Sequence, residues 1–288
     1  MLENNGILTD RKEIILVWLL RGMAIVSGLI LLAIAGFLCW EAWPILQNIG
    51  LSRFFTDSSW HPTSNEFNLL PMLWGTLLVA AGAVLLATPM GILSAIFCHY
   101  YAPTAIAYFY RRLIELLAGI PSVVYGFWGL VVLVPIIGRL HPPGPSLLAG
   151  ILILTLMILP TIALVADASL ASIPPEYWRS AAALGLGRRA TIWGVVLPAA
   201  KSGLFAGAIL QAGRAIGETM AVLMVCGNVV QVPENIFAPV RTLTANIALE
   251  MAYATGYHRA ALFVSGLVLM AAIVFLVLSA ETIKKLWH

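Results

Sequence analysis

Six runs of predominantly apolar residues, roughly 22–40, 70–98, 113–137, 147–166, 203–226 and 260–280, leave this chain few ways to fold. Crossing hydrocarbon as a helix takes about 20 apolar residues. Backbone N–H and C=O groups in lipid must find partners inside the protein, which restricts spanning structures to helices and closed barrels. The expected fold is an all-α membrane protein with six transmembrane helices. Composition agrees: 61% of the 288 residues are apolar, 10% are charged and the mean hydropathy is +0.95, far from the soluble globular range.

With both termini inside, the inner segments hold Arg11, Lys12, Arg21, Arg111, Arg112, Arg179, Arg188, Arg189, Lys201, Lys284 and Lys285, and the outer ones hold Arg53, Arg139, Arg241 and Arg259. Eleven against four sets the orientation by the positive-inside rule, with both termini cytoplasmic. The net charge of +3 then reflects topology and is no evidence for nucleic-acid binding. The first run is too long for the apolar core of a signal peptide, and no A-x-A site follows it, so it reads as a retained helix. Cys39, Cys98 and Cys226 make no C-x-x-C or zinc pattern and read as small hydrophobes. His61, His99, His141, His258 and His288 are scattered without ligand spacing, so no metal site is expected.

Polar residues concentrate in a terminal tail (1–13), an outer segment (41–69), an inner loop (167–202) and an outer loop (227–259). The outer segment carries Trp43, Phe54, Phe55, Trp60 and Phe67, which suit an interfacial anchor or a docked partner, the anchor being the simpler reading. The outer loop includes Pro233, Glu234, Asn235, Pro239, Arg241, Thr242 and Thr244, and its sequence leaves open whether it forms a partial re-entrant hairpin.

The fifth run contains Arg214 and Glu218, in Gly213-Arg-Ala-Ile-Gly-Glu-Thr-Met-Ala-Val222. A charge near the bilayer centre costs at least ~2.5 kcal/mol on insertion scales, so two of them need a reason. On one ideal helix at ~100° per residue, Gly203, Gly207, Leu210, Arg214, Gly217, Glu218 and Ala221 share a face bordered by Gln211. Gly203/Gly207 and Gly213/Gly217 have the G-x-x-x-G spacing that permits close helix approach. At i, i+4 the two charges can neutralise each other. They either join subunits or line an anion path, with Arg214 as the cation and Glu218 orienting it. Ser122 and Tyr125, beside the Pro121 that breaks the third run, and Thr219 and Asn228 are weaker polar candidates. Asp167 is expected to end the fourth helix and cap or solvate the inner loop.

In that loop, Ser172 is a plausible N-cap, Pro174 and Pro175 fit a first turn, Glu176 complements the helix dipole, and Gly185 or Gly187 can end the helix. Tyr177, Ala181 and Leu184 would line one side, with Trp178 beside them and Arg179, Arg188 and Arg189 behind. Such a helix suits lipid or a groove on a soluble partner. No P-loop is present: ahead of Lys201-Ser202 stand Ala200 and Val195 where the motif needs glycines. The chain is therefore not expected to hydrolyse ATP itself.

The Ala-rich turn, Gly185 and Val195-Val-Leu-Pro198 together resemble the "EAA...G...I-x-L-P" loop of permease subunits of ATP-binding-cassette importers. Gly185, Leu197 and Pro198 match that motif, whereas Arg179, with Ser180 and Ala181 after it, stands where the motif has Glu. Gly213–Val222, Leu117-Ala-Gly-Ile-Pro-Ser-Val-Val-Tyr-Gly-Phe-Trp-Gly-Leu130 and Leu70-Pro-Met-Leu-Trp-Gly-Thr-Leu-Leu78 resemble the permeases of the high-affinity phosphate importer, the Pst system, and the Gly-Glu-Thr-Met-Ala-Val ending is nearer the PstC type than its paralogue PstA. The likeness runs from about Leu70 to about Met270.

The resemblance implies a type I importer permease fold, with residues 1–69 as tail, first helix and outer segment and 70–288 as a core of five transmembrane helices. It also implies a bacterial inner-membrane location, a PstA-like partner permease, a PstB-like ATPase dimer binding ATP and magnesium, and a periplasmic phosphate-binding protein. Phosphate would pass between the two permeases past Arg214, Glu218, Gln211, Thr219 and Ser122. Coupling to the ATPase would run through Glu176, Arg179, Ala181, Gly185, Leu197 and Pro198. Charge alone leaves open a permease for another oxyanion, such as phosphonate or molybdate, a proton-coupled carrier using Glu218 and Asp167, or a non-transporting scaffold.

Overall fold

The structure is a computed structural model that describes residues 11–285; residues 1–10 of the tail and residues 286–288, His288 among them, lie outside the described residues. Six helices are long and apolar enough to cross a membrane: Glu13–Asn48, Leu70–Tyr101, Ser122–Leu140, Leu147–Ala171, Arg188–Ile216 and Gly256–Lys285. In chain order the elements are α1 (Arg11–Asn48), α2 (Arg53–Thr56), β1 (Trp60–His61), β2 (Glu66–Phe67), α3 (Leu70–Ile96) and α4 (Thr104–Ala118). There follow α5 (Ser122–Trp128), α6 (Val134–Leu140), α7 (Leu147–Ala171), α8 (Pro175–Ala183), α9 (Arg188–Thr191), α10 (Leu197–Ile216), α11 (Met220–Val225), α12 (Leu243–Glu250) and α13 (Gly256–Lys285). Single π-helical turns at Phe97–Tyr101, Gly129–Leu133 and Ile192–Val196 extend α3, join α5 to α6 and join α9 to α10.

The centre is the α3–α7 pair. Every fourth residue of α3 on one face is small and buried, through Ala83, Ala87, Gly91 and Ala95. Opposite stand Ile153, Leu154, Met157, Ile158 and Ile162 of α7, a predominantly apolar helix that is the most deeply buried of the six candidate spans. The small stripe lets the backbones approach: a Cβ on Gly91 would fall 2.6 Å from the Ile162 side chain.

Two expected helices are broken. The 113–137 run is split, because Gly119, Ile120 and Pro121 separate the amphipathic α4 from α5; the residue before a proline is driven out of helical geometry. Likewise 203–226 is not one helix, since α10 ends at Ile216 and α11 begins at Met220. The fourth helix runs on to Ala171, so Asp167 does not end it.

The segment 49–69 folds into a cap over one end of the bundle, opposite the end that carries α8. Phe54, Trp60 and Phe67 are buried with Ile45, Met72, Leu243 and Leu262, which corrects the reading of this segment as an interfacial anchor. Only Trp43 and Phe55 among its aromatics keep exposed faces that suit an interface, since Phe67 and Phe54 stack at 5.9 Å inside the cluster. Arg53 and the Phe67 N–H both reach Asp57 at 2.9 Å. Burial opposes ionisation of Asp57, but these two partners outweigh it and hold its pKa below the ordinary carboxylate value.

The outer loop returns across the same end. Gly227 and Val240 bridge in parallel, and the Ala238 and Ile236 carbonyls accept the Leu147 and Leu148 N–H groups at 2.9 and 2.8 Å, satisfying the first turn of α7. Gly75 of α3 lies against this loop, where a Cβ would stand 2.6 Å from the Arg241 carbonyl oxygen. Backbone cannot rotate out of the way, so Gly75→Ala should destabilise the fold by about 1–3 kcal/mol. Gly28→Ala, which meets nothing within 4 Å, should leave it unchanged. Thermal unfolding of the two detergent-solubilised variants checks this.

Candidate functional site: two broken helices and a basic side chain

Both helix breaks lie together. Gly126 of α5 packs on α11 so closely that a Cβ would be 2.8 Å from Cα of Ala221. The half-helices that follow Pro121 and Thr219 therefore run side by side. Tyr125 spans the first break by donating its hydroxyl to the Leu117 carbonyl at 2.9 Å. At the second, the Glu218 carboxylate accepts the Ala221 N–H at 3.1 Å, and the Thr219 hydroxyl reaches the Gly217 carbonyl at 3.3 Å.

The break redirects the two charges. No ion pair joins Arg214 to Glu218, contrary to the expectation from i, i+4 spacing, because the helix stops between them and Glu218 turns to cap α11. Arg214 is exposed and makes a long 3.5 Å contact to the Thr161 hydroxyl of α7. It stands at one end of a cleft of about 680 Å³ between α10 and α13, with Leu210, Gly213, Ile273 and Val277 on the walls and Lys284 at the far end.

The shared small-residue face also divides. Gly203 and Gly207 press on Ser169 and Val165 of α7, where a Cβ would come within 2.7 and 2.6 Å, so this pair is a true close approach. Gly213 meets nothing within 4 Å and Gly217 meets only its own helix backbone, so among the described residues the second pair makes no close helix approach. Gln211 is 3% exposed, and its side-chain oxygen has no hydrogen-bond partner. Ser122 is half-buried in the first turn of α5. Asn228 is a backbone device, at φ 55° with its side chain on the Leu223 carbonyl at 2.7 Å.

Thr161 and Thr244 were not legible as site residues. The Thr244 hydroxyl donates to the Glu218 carbonyl at 2.7 Å from 26 positions away. One signal was present: Glu218-Thr219 before a short apolar run is a helix-start pattern, which argues for a break there.

At the opposite end, α8 does form over Pro175–Ala183, but Ser172 does not cap it. Ser172 closes α7, donating to the Ser169 carbonyl at 2.8 Å, and Pro174 takes the N-cap position. The anticipated stripe splits. Ala181 is 2% exposed and Trp178 stacks on Tyr100 at 5.1 Å, whereas Leu184 is 79% exposed and Tyr177 also faces out. Leu197 packs with Ala95, Tyr100, Leu170 and Val196 beneath α8, and Pro198 opens α10 just after the π turn. Glu176 and Arg179 point outward. Asp167 is tied to Arg111 of α4 at 3.0 Å and to His99 at 3.2 Å, fixing α4 to α7 and to the end of α3.

Gly185 ends α8. At φ +72° it lies in the left-handed region, its N–H bonds the Ala182 carbonyl and the Leu186 N–H bonds the Ala181 carbonyl, a Schellman closure.

Residues 87–283 match the family described as the binding-protein-dependent transport system inner membrane component. The chain belongs to that family. A probable ABC transporter permease, YqgH of Bacillus subtilis, is 40% identical over 73% of this chain and 70% of its own length. The phosphate transport system permease PstC of Mesorhizobium japonicum is 36% identical over 89% of this chain and 84% of its own. The solved structure of a bacterial ABC transporter involved in import of the acidic polysaccharide alginate superposes with a TM-score of 0.67, covering 96% of this chain and 99% of that one; at 16% identity it speaks for the fold alone. The fold is thus that of type I importer permeases, and the chain is PstC-like, a multi-pass inner-membrane transport component. Such permeases work with a separate ATPase and a substrate-binding protein.

For this permease, Gly185→Ala forces a side chain into the left-handed region at a cost of about 1–2 kcal/mol. The end of α8 should fray, seen as faster amide exchange at Gly185 and Leu186, with the unfolding temperature of the bundle unchanged.

Proposed function

We propose that this chain is one of two paralogous permease subunits that form the translocation path of an ATP-driven importer of inorganic phosphate. Arg214 carries the reading. It is an exposed guanidinium at a helix break, with no carboxylate in ion-pair reach among the described residues, on a face that its own chain leaves uncovered. A planar fork of N–H donors suits phosphate oxygens. Glu218, capping α11 nearby, limits how tightly an anion is held. The relatives named as phosphate permeases support the choice of substrate.

In this reading the uncovered Gly213/Gly217 face meets a PstA-like partner, and both termini and α8 are cytoplasmic. The exposed Tyr177, Arg179 and Leu184, with Glu176, dock on the PstB-like ATPase, which binds ATP and magnesium. Gly185 and the Ala181, Leu197 and Pro198 packing set the angle of α8. The phosphate-binding protein approaches the cap end. Thr219 and Ser122 stand along the path as polar groups at the breaks, with Gln211 buried behind it as an unpartnered polar group.

The test is labelled phosphate uptake by the reconstituted complex. Arg214→Gln should lower uptake about tenfold to a hundredfold, the scale of a lost charge-assisted hydrogen bond, with assembly intact by pull-down. Arg214→Lys should fall between. Undiminished uptake by Arg214→Gln would remove the role of Arg214, and uptake of molybdate or phosphonate in preference to phosphate would change the substrate.

A further inference from the structure

The cap end of this permease holds a buried carboxylate that the translocation reading leaves unused. Glu250, the last residue of α12, is 7% exposed. Its Oε2 accepts the Trp60 indole N–H at 2.9 Å and lies 2.8 Å from His258 Nε2, while Oε1 accepts from Arg241 Nη1 at 2.7 Å. Trp60 belongs to the cap, His258 to α13 and Arg241 to the returning loop. The same Arg241 donates through Nε to the Asn228 carbonyl at 2.9 Å and through Nη1 to Asn246 at 3.0 Å. Burying a carboxylate is strongly unfavourable unless it is paired and hydrogen-bonded, and here the pairing gathers three separate segments on one side chain.

The other end of α12 reaches the candidate site. Thr244 donates to the Glu218 carbonyl at 2.7 Å, and the preceding Leu243 N–H is held by the Thr76 hydroxyl of α3 at 2.9 Å. Eight residues of α-helix span about 12 Å, so one short rigid element connects the Glu250 cluster to the break. Leu243, Thr244, Ala245 and Asn246 are all buried, which leaves the helix no slack against its surroundings.

We propose that Glu250 is a positioning residue for transport: by anchoring α12 to the cap, it fixes where Thr244 holds the Glu218 carbonyl, and so sets the geometry of the broken helix beside Arg214. This rests on the phosphate-importer reading above. The cap and the break are thereby joined through α12, which the Leu243–Thr76 bond also holds to α3. Glu250 touches no substrate in this scheme.

The experiment measures phosphate transported per ATP hydrolysed in proteoliposomes holding the complete complex and the phosphate-binding protein. Thr244→Val exchanges one hydroxyl for a methyl and should lower that ratio about fivefold, the scale of one net hydrogen bond, and Thr244→Ser should restore it. Glu250→Gln should lower it similarly. Because both residues act through one helix, the double variant should be no worse than the worse single one. An unchanged ratio in Thr244→Val, or losses that multiply in the double variant, would overturn the proposal. Should Glu250→Gln fail to assemble, Thr244→Val and Thr244→Ser decide the matter alone. Absence of phosphate uptake by the wild-type complex would instead count against the importer reading.

Discussion

Backbone polarity in an apolar medium governs this structure. A helix that stops inside a membrane exposes N–H and C=O groups that lipid cannot satisfy. At Gly217–Thr219 those groups are met by the Glu218 carboxylate on the Ala221 N–H and the Thr244 hydroxyl on the Glu218 carbonyl. At Gly119–Pro121 the Tyr125 hydroxyl meets the Leu117 carbonyl. The polar residues around the breaks are thus required before any substrate is considered. Arg214 is the exception, since the backbone has no use for it.

The core leaves the breaks free to serve function. Small residues of α3 against large aliphatic residues of α7 make a dense, predominantly apolar contact that asks nothing of the ends of the bundle. Each end then carries its own polar fastening. Asp167, Arg111 and His99 bind α4 to α7 near α8, and Glu250, Arg241, His258 and Trp60 bind the cap to α12 and α13.

Number and approximate place of the spanning helices were legible because about 20 apolar residues can do little else in a membrane. The Gly203/Gly207 approach was legible for the same reason of local spacing. What escaped was long-range. An ideal-helix projection carries a face through Gly217 and Glu218, yet Glu218 is turned away by α11 and held by Thr244 from a different segment. Phe54, Trp60 and Phe67 read as an interfacial belt by composition alone; only the fold shows that α13 and Leu243 cover them. Ser172 has an N-capping side chain but sits two residues too early, because α7 runs four residues beyond Asp167 and uses Ser172 to stop.

The π turn at Ile192–Val196 lies between the α8 loop and the helix that bears Arg214. A π turn inserts one residue without breaking the helix, and each residue of helix is worth about 100° of rotation. The five residues of the turn rotate about as far as four residues of regular α-helix, so deleting one there would restore a regular helix and leave Arg214 facing nearly the same way relative to α8. The turn therefore acts as a buffer of chain length: it takes up one residue while keeping the direction in which the charged face looks for a given seat of the α8 loop.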